Sequence, residues 1–270
     1  MPQANQLLER LIGREAEVRQ LHAAVRKRQS RLIWGAADAG KTFLVAKMLL
    51  ELPENERRKC ICWSGAVSRR QLIEGLIGGL YAAGDSFVRM KVHADHFDDS
   101  TLTRWIGRQS ALRLRGILFT AAERGDYKFF LDHVSRISHA FAQLLKEIMY
   151  RTKTPVYLTG QGYSQAEVGD AWSLYWTDEY RIRLGPVTDG AARELMEVCI
   201  QKFGLASLDL GDFRDDLLRL SGHLPGSIVR MCAMAADPHY HYGDQVKMNV
   251  LHVDYLMHGN RFISSASHLP

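Results

Sequence analysis

Eight consecutive residues carry the densest chemistry in the sequence: Gly35-Ala36-Ala37-Asp38-Ala39-Gly40-Lys41-Thr42. Glycines let backbone N–H groups turn inward and approach an anion closely. A helix N-terminus directly after such a turn adds free N–H groups and partial positive charge. The lysine supplies a mobile cation, and the threonine hydroxyl is an oxygen ligand of the kind a hard divalent cation takes. Together they match the phosphate-loop pattern GxxxxGK[ST] in full. The pattern predicts a nucleoside triphosphate, ATP with Mg²⁺, held by a candidate set running from Gly35 to Phe43. Lys41 would bridge the β- and γ-phosphates and Thr42 would ligate the metal.

A loop of this kind needs an acidic residue at the end of a nearby strand to hold the metal. Phe129-Phe130-Leu131-Asp132 offers Asp132 as that carboxylate,. The next residue is His133. An imidazole can take a proton near neutral pH. At the position beside the attacking water it predicts slow turnover and a protein that works chiefly as a nucleotide-state switch.

The elements that must position these groups alternate between apolar runs and helical patterns, which predicts a parallel sheet covered by helices. The five strands expected are 31–34, 59–64, 127–131, 155–159 and 180–184. Helical periodicity covers 41–52, with Phe43, Leu44, Ala46, Leu49 and Leu50 as its apolar face, then 68–83, 101–124 and 138–150,. The stretch from Gly84 to Ser100 is rich in Asp and His and reads as irregular. After Gly185-Pro186 only helices are expected, over 191–203, 210–220, 226–236 and 246–257, with a frayed tail from Ser264,. The fold class is therefore α/β: a five-stranded parallel αβα sandwich of the P-loop NTPase kind over 1–186, followed by a small all-helical lid domain over 187–270.

Bulk composition fits that reading. The 270 residues are 46% apolar and 24% charged, enough to bury a core,. A net charge of +5 permits a nucleic-acid partner without demanding one,. Four cysteines, Cys60, Cys62, Cys199 and Cys232, make no disulfide framework, so a reducing, cytoplasmic compartment is expected,. Cys60 and Cys62 are read as core fillers on opposite faces of a strand,. No run of about 20 apolar residues predicts a membrane span.

Ile12-Gly13-Arg14-Glu15, followed by a helix with Val18, Leu21 and Val25 just before the phosphate-loop strand, gives an order that resembles AAA+ ATPases of the origin-recognition initiator group. The signalling STAND ATPases and transposon target-selection ATPases look similar at this level. The resemblance implies that Ile12 and Gly13 contact the adenine. It makes Pro155–Gly160 look like a sensor strand that places Thr159, or less readily Gln161, near the γ-phosphate. Arg181 or Arg183 would reach a neighbouring subunit's nucleotide as a finger, the alternative being solvated arginines on an edge strand. Gly222–Arg230 resembles the start of a lid helix whose Arg230 bridges to the γ-phosphate, the alternative being a structural salt bridge. The family implies ATP/ADP as ligands and a homo-oligomer, or a hetero-complex with an effector protein. Two roles follow: a switch in a DNA-associated process such as replication or transposition, or a signalling or anti-phage defence ATPase that recruits an effector without binding DNA. No winged-helix segment follows the lid pattern, which tells against origin binding by this chain alone.

Two further groupings are weaker. Arg104, Arg108, Arg113 and Arg115, with Trp105 among them, form a basic run with an aromatic that can track a nucleic-acid backbone or serve as an ordinary polar face,. His93 and His96, and His239 and His241, lack companion ligands at metal-site spacing, and Asp95, Asp98 and Asp99 read as a solvated acidic loop,.

Overall fold

The computed structural model describes residues 11–65, 68–95, 102–134, 137–162 and 164–258. His96, Asp98, Asp99, Tyr163 and the tail from Ser264 lie outside them. The chain divides into two compact units, the first formed by Ala16–Ala36 and Lys41–Leu184, the second by residues 11–15, Ala37–Gly40 and the chain from Gly185.

In the first unit the strands β1 (Arg31–Gly35), β2 (Cys60–Ser64), β3 (Lys128–Asp132), β4 (Val156–Gln161) and β5 (Arg181–Leu184) form one parallel sheet in the order β2-β3-β4-β1-β5. β1 lies between β4 and β5, so the carboxyl end that leads into the phosphate loop is central. Register sets Ile33 beside Thr159 and Ser64 beside Asp132, which brings the polar strand ends together at one edge of the sheet. Ligands of open α/β sheets bind at that edge. The inner strands are buried almost throughout: Leu32, Ile33, Phe129 and Leu158 are fully covered, as expected of a parallel sheet with both faces packed.

Helices follow in chain order: α1 (Glu15–Arg26), α2 (Lys41–Glu51), α3 (Glu54–Arg57), α4 (Arg69–Ala82), α5 (Ser86–Ala94), α6 (Leu102–Arg108), α7 (Ala111–Arg124), α8 (His139–Arg151), α9 (Gln165–Val168) and α10 (Ala171–Leu174). Helix α2 buries Leu44, Val45, Ala46 and Met48. Phe43 and Leu50 point outward, 42% and 50% exposed, so the apolar face is turned from the one the spacing suggested.

Three other sequence expectations change. The segment after Gly84 is not irregular up to Ala94: it holds α5, whose cap Asp85 accepts from the Val88 amide at 2.7 Å. Val88 and Val92, four apart, bury one side of α5 under its polar residues,. The helical run 101–124 is broken because Ser110 caps a new helix and accepts from Arg113 N,. Cys60 and Cys62 share one strand face, since alternate residues do; Ile61 takes the buried face and Cys62 is exposed, so Cys62 is no core filler.

The second unit holds α11 (Asp189–Lys202), α12 (Gly211–Ser221), α13 (Pro225–Ala235) and α14 (Met248–His258). Its core contains Leu195, Met196, Phe213, Leu217, Ile228, Met231 and Leu251. The helical run is interrupted by a two-residue antiparallel pair, β6 (His241–Tyr242) with β7 (Gln245–Val246), turned at Gly243 with φ +63°. No described helix is long and apolar enough to cross a membrane.

Candidate functional site

The first-unit part of the site grows from three strand ends. Thr42 opens α2, and its Oγ1 donates to Asp132 Oδ2 at 2.8 Å. Asp132 closes β3, and its Oδ1 accepts from the Thr159 hydroxyl on β4. The Thr159 oxygen in turn accepts from the His133 amide at 3.0 Å. Thr159 is 2% exposed. It is therefore an internal brace that fixes the Asp132 carboxylate and holds the chain as it turns at His133, where φ is +54°. That left-handed backbone is costly for a non-glycine residue, and two hydrogen bonds to Thr159, from His133 N and from Val134 N to the carbonyl at 3.2 Å, offset it. The His133 ring is half-exposed, its Nε2 3.5 Å from Asp132 Oδ2.

Lys41 Nζ donates to the Gly35 carbonyl at 3.0 Å and to the Ala36 carbonyl. The ammonium thus lies along the turn that precedes it in the chain. Gly35 is required by close approach: a Cβ there would fall 2.1 Å from the Leu184 carbonyl oxygen. Gly40 has φ +90° and open space around it, so its glycine answers to backbone conformation alone.

In the second unit, the middle of the phosphate loop is pinned. Asp38 has φ +61°. Its carbonyl accepts from the Gly226 amide at 2.8 Å. Its carboxylate accepts from Arg230 Nη2, from Tyr255 OH at 2.9 Å and from Ser227 Oγ at 3.4 Å. Ser227 and Tyr255 also share a hydrogen bond at 2.7 Å, and the Arg230 guanidinium lies over the Tyr255 ring. Gly226 is needed for this approach, because a Cβ would sit 2.9 Å from Asp38 Cα, Cβ and O. Arg14, 4% exposed, donates to the carbonyls of Ala39 and Gly185. Ile12 is buried beside it in sequence, and Gly13 has φ +74° with Ala191 and Val187 packed where a side chain would go.

Thr42, Asp132, His133 and Thr159 are thus brought together, and Arg230 is engaged with Asp38. Ala36 and Ala39 are buried, while Ala37 is exposed. Arg181 and Arg183 occupy one face of the edge strand β5, with Ile182 and Leu184 buried on the other. Arg181 is paired with Asp178 at 2.9 Å and stacked 3.8 Å over Trp172; Arg183 is exposed and lies over Trp34. The basic run before β3 is not one stripe. Trp105 is fully buried and donates to Asp95, Arg113 pairs with the same Asp95, and Arg115 pairs with Glu147. Residues that sequence reasoning passed over are Arg14, Ser227 and Tyr255. Only Arg14 lay within a segment already singled out.

No protein-family model and no curated protein matches the chain. Solved structures do. One is the Walker-type ATPase of Pyrococcus abyssi, 18% identical, with a TM-score of 0.59 over 96% of this chain and 77% of that one. Another is the Orc1 protein of Aeropyrum pernix, solved in complex with DNA, 17% identical, with a TM-score of 0.56 over 97% and 69%. A third is a STAND protein of Pyrococcus horikoshii with a tetratricopeptide repeat sensor, 14% identical, with a TM-score of 0.51. This chain is covered over 92%, but it spans only 32% of that longer protein. The fold is that of the AAA+ P-loop ATPases of the origin-recognition and STAND type.

Proposed function

We propose that the chain binds and slowly hydrolyses ATP, and that it acts as a nucleotide-dependent switch assembling with copies of itself or with partner proteins. The observation that carries this reading is the joining of Thr42, Asp132 and Thr159 by direct hydrogen bonds at the end of the phosphate loop. The donor set fits Mg²⁺: a threonine hydroxyl and a carboxylate, both oxygen ligands, fixed 2.8 Å apart,. Thr42 and Asp132 would hold the ion, which when bound neutralises phosphate charge. Gly35–Thr42 would bind the phosphates through backbone N–H groups, and Lys41 would leave the Gly35 and Ala36 carbonyls for the phosphate oxygens. Ile12 and Gly13 would face the base.

His133 is the group placed to take the proton of the attacking water. Its ring already leans on Asp132, and a neutral imidazole is a weaker base there than a carboxylate at neutral pH. The switch reading therefore expects low phosphate release. His133→Glu should raise the release rate and His133→Ala should lower it, measured as inorganic phosphate under saturating Mg²⁺ and ATP. Equal rates for all three proteins would remove His133 from the reaction. A division into a nucleotide-binding core over 1–186 and a lid over 187–270 is supported by the parting of the two units at Gly185. Arg183, exposed on β5, is the better placed of the two arginines to serve a neighbouring subunit.

The process served is proposed as DNA-associated, supported by the fold shared with an Orc1 protein solved on DNA. A second reading has an observation in its favour. With Trp105 buried and Arg113 and Arg115 paired internally, the sequence's candidate nucleic-acid stripe is dismantled. That supports a STAND-like signalling or defence ATPase recruiting a separate effector. DNA binding that strengthens with ATP and weakens steeply with salt supports the first role; none at low salt, with or without ATP, supports the second.

A further inference from the structure

The Asp38 side chain is out of place by the chemistry of its surroundings. The loop is built to attract polyanions, yet its fourth residue is an anion. Its backbone is left-handed at φ +61°, a conformation glycine adopts freely and aspartate at a cost,. Three side chains converge on the carboxylate: Arg230, Tyr255 and Ser227. The Asp38 and Arg230 side chains are 14% and 17% exposed, so the pair is partly withdrawn from solvent without being sealed. A salt bridge in such a setting is stronger than one at the surface and still open to a competing anion.

We propose that Asp38 is a specificity-determining residue of the phosphate loop, whose carboxylate competes with the nucleotide's terminal phosphate for Arg230 and so sets the preference for triphosphate over diphosphate. The proposal rests on the nucleotide reading of the loop. Arg230 has one guanidinium, and a polyphosphate end is the more highly charged and bidentate acceptor. A triphosphate can draw the guanidinium from Asp38. A diphosphate, one charged group shorter, leaves the Asp38 pair in place. The carboxylate does not lose all its partners in the exchange, since Tyr255 OH and Ser227 Oγ remain as donors. Asp38 thereby lowers the loop's affinity for ATP, so removing its charge tightens ATP binding more than ADP binding.

The test measures dissociation constants of Mg²⁺·ATP, as a slowly hydrolysed analogue, and of Mg²⁺·ADP by calorimetry. The proteins are the full chain as wild type, Asp38→Asn, Asp38→Gly, Arg230→Ala and Asp38→Asn/Arg230→Ala. Both Asn and Gly suit the left-handed backbone, so at least one folded variant lacking the carboxylate is expected. The expected result is a gain of severalfold or more in ATP affinity for Asp38→Asn and Asp38→Gly, with ADP affinity changed much less. In the double variant that gain is lost, because no guanidinium remains to be released. Equal changes for ATP and ADP, or a gain that survives Arg230→Ala, would overturn the competition. A wild type that binds neither nucleotide would overturn the nucleotide reading itself and the inference with it. That failure is distinguishable because it appears before any substitution is made.

Discussion

Thr159→Val is nearly isosteric, so its cost isolates the hydroxyl. In the native chain that hydroxyl donates to Asp132 Oδ1 and accepts from the His133 amide at 3.0 Å, and the residue is 2% exposed. Removing it leaves a buried amide unpaired, worth about 1–3 kcal/mol, and breaks a hydrogen bond to a charged group, worth about 1.5–3 kcal/mol. The Thr42 bond to the other carboxylate oxygen persists, so the two terms do not add fully. A net loss of about 3 kcal/mol is expected. At roughly 2–4 °C per kcal/mol for a chain of this size, the melting temperature should fall by about 6–12 °C. Thr159→Ser keeps the hydroxyl and gives up one buried methyl, about 1 kcal/mol. Thermal unfolding followed by circular dichroism gives the order: wild type, then Ser, then Val. If Val melts at or above Ser, the methyl matters more than the hydroxyl, and the brace assigned to Thr159 is wrong. Phosphate release should follow the same order, because Asp132 loses its fixed position with the hydroxyl.

Gly226→Ala puts a Cβ within 2.9 Å of Asp38 backbone atoms. It should cost about 1–3 kcal/mol and weaken nucleotide binding together, read by melting temperature and calorimetry on one preparation. Glu51 makes a pH prediction. Burial pushes its carboxyl up, but hydrogen bonds from His22 and Lys47 outweigh it and hold the group below its ordinary value. Stability from Glu51 is then present above the usual carboxylate range and lost as pH falls through the lowered value. Glu51→Gln should flatten that acid-side loss in urea unfolding at a series of pH values, and an unchanged slope would show that Glu51 does not contribute it.

The sequence made the phosphate loop readable because its residues are contiguous, and it made Asp132 readable because a carboxylate ends an apolar strand. Both signals are local. The clamp on Asp38 was not readable: Ser227 and Tyr255 lie 189 and 217 residues from it in the chain. Nothing in periodicity marks Asp38 as the left-handed residue of the loop. The fate of Trp105 was hidden for a related reason. Spacing places it among arginines, but its indole volume and N–H find a core and Asp95, and that depends on where α5 ends. Helix α5 itself escaped because its polar residues mask two buried valines four apart. Thr159 was placed near the site by resemblance to a sensor strand, and only the sheet register beside Ile33 exposes its bond to Asp132.

The central claim is that Gly35–Thr42 binds a nucleoside triphosphate through its own residues. Calorimetric titration of wild type and Lys41→Ala with Mg²⁺·ATP tests it most directly, with melting temperature as a check on folding. Wild type should saturate one site per chain, and Lys41→Ala should lose roughly tenfold or more in affinity, about 1.4 kcal/mol or greater, while melting near wild type. Equal affinity in the two proteins, or no binding by wild type, would contradict the account.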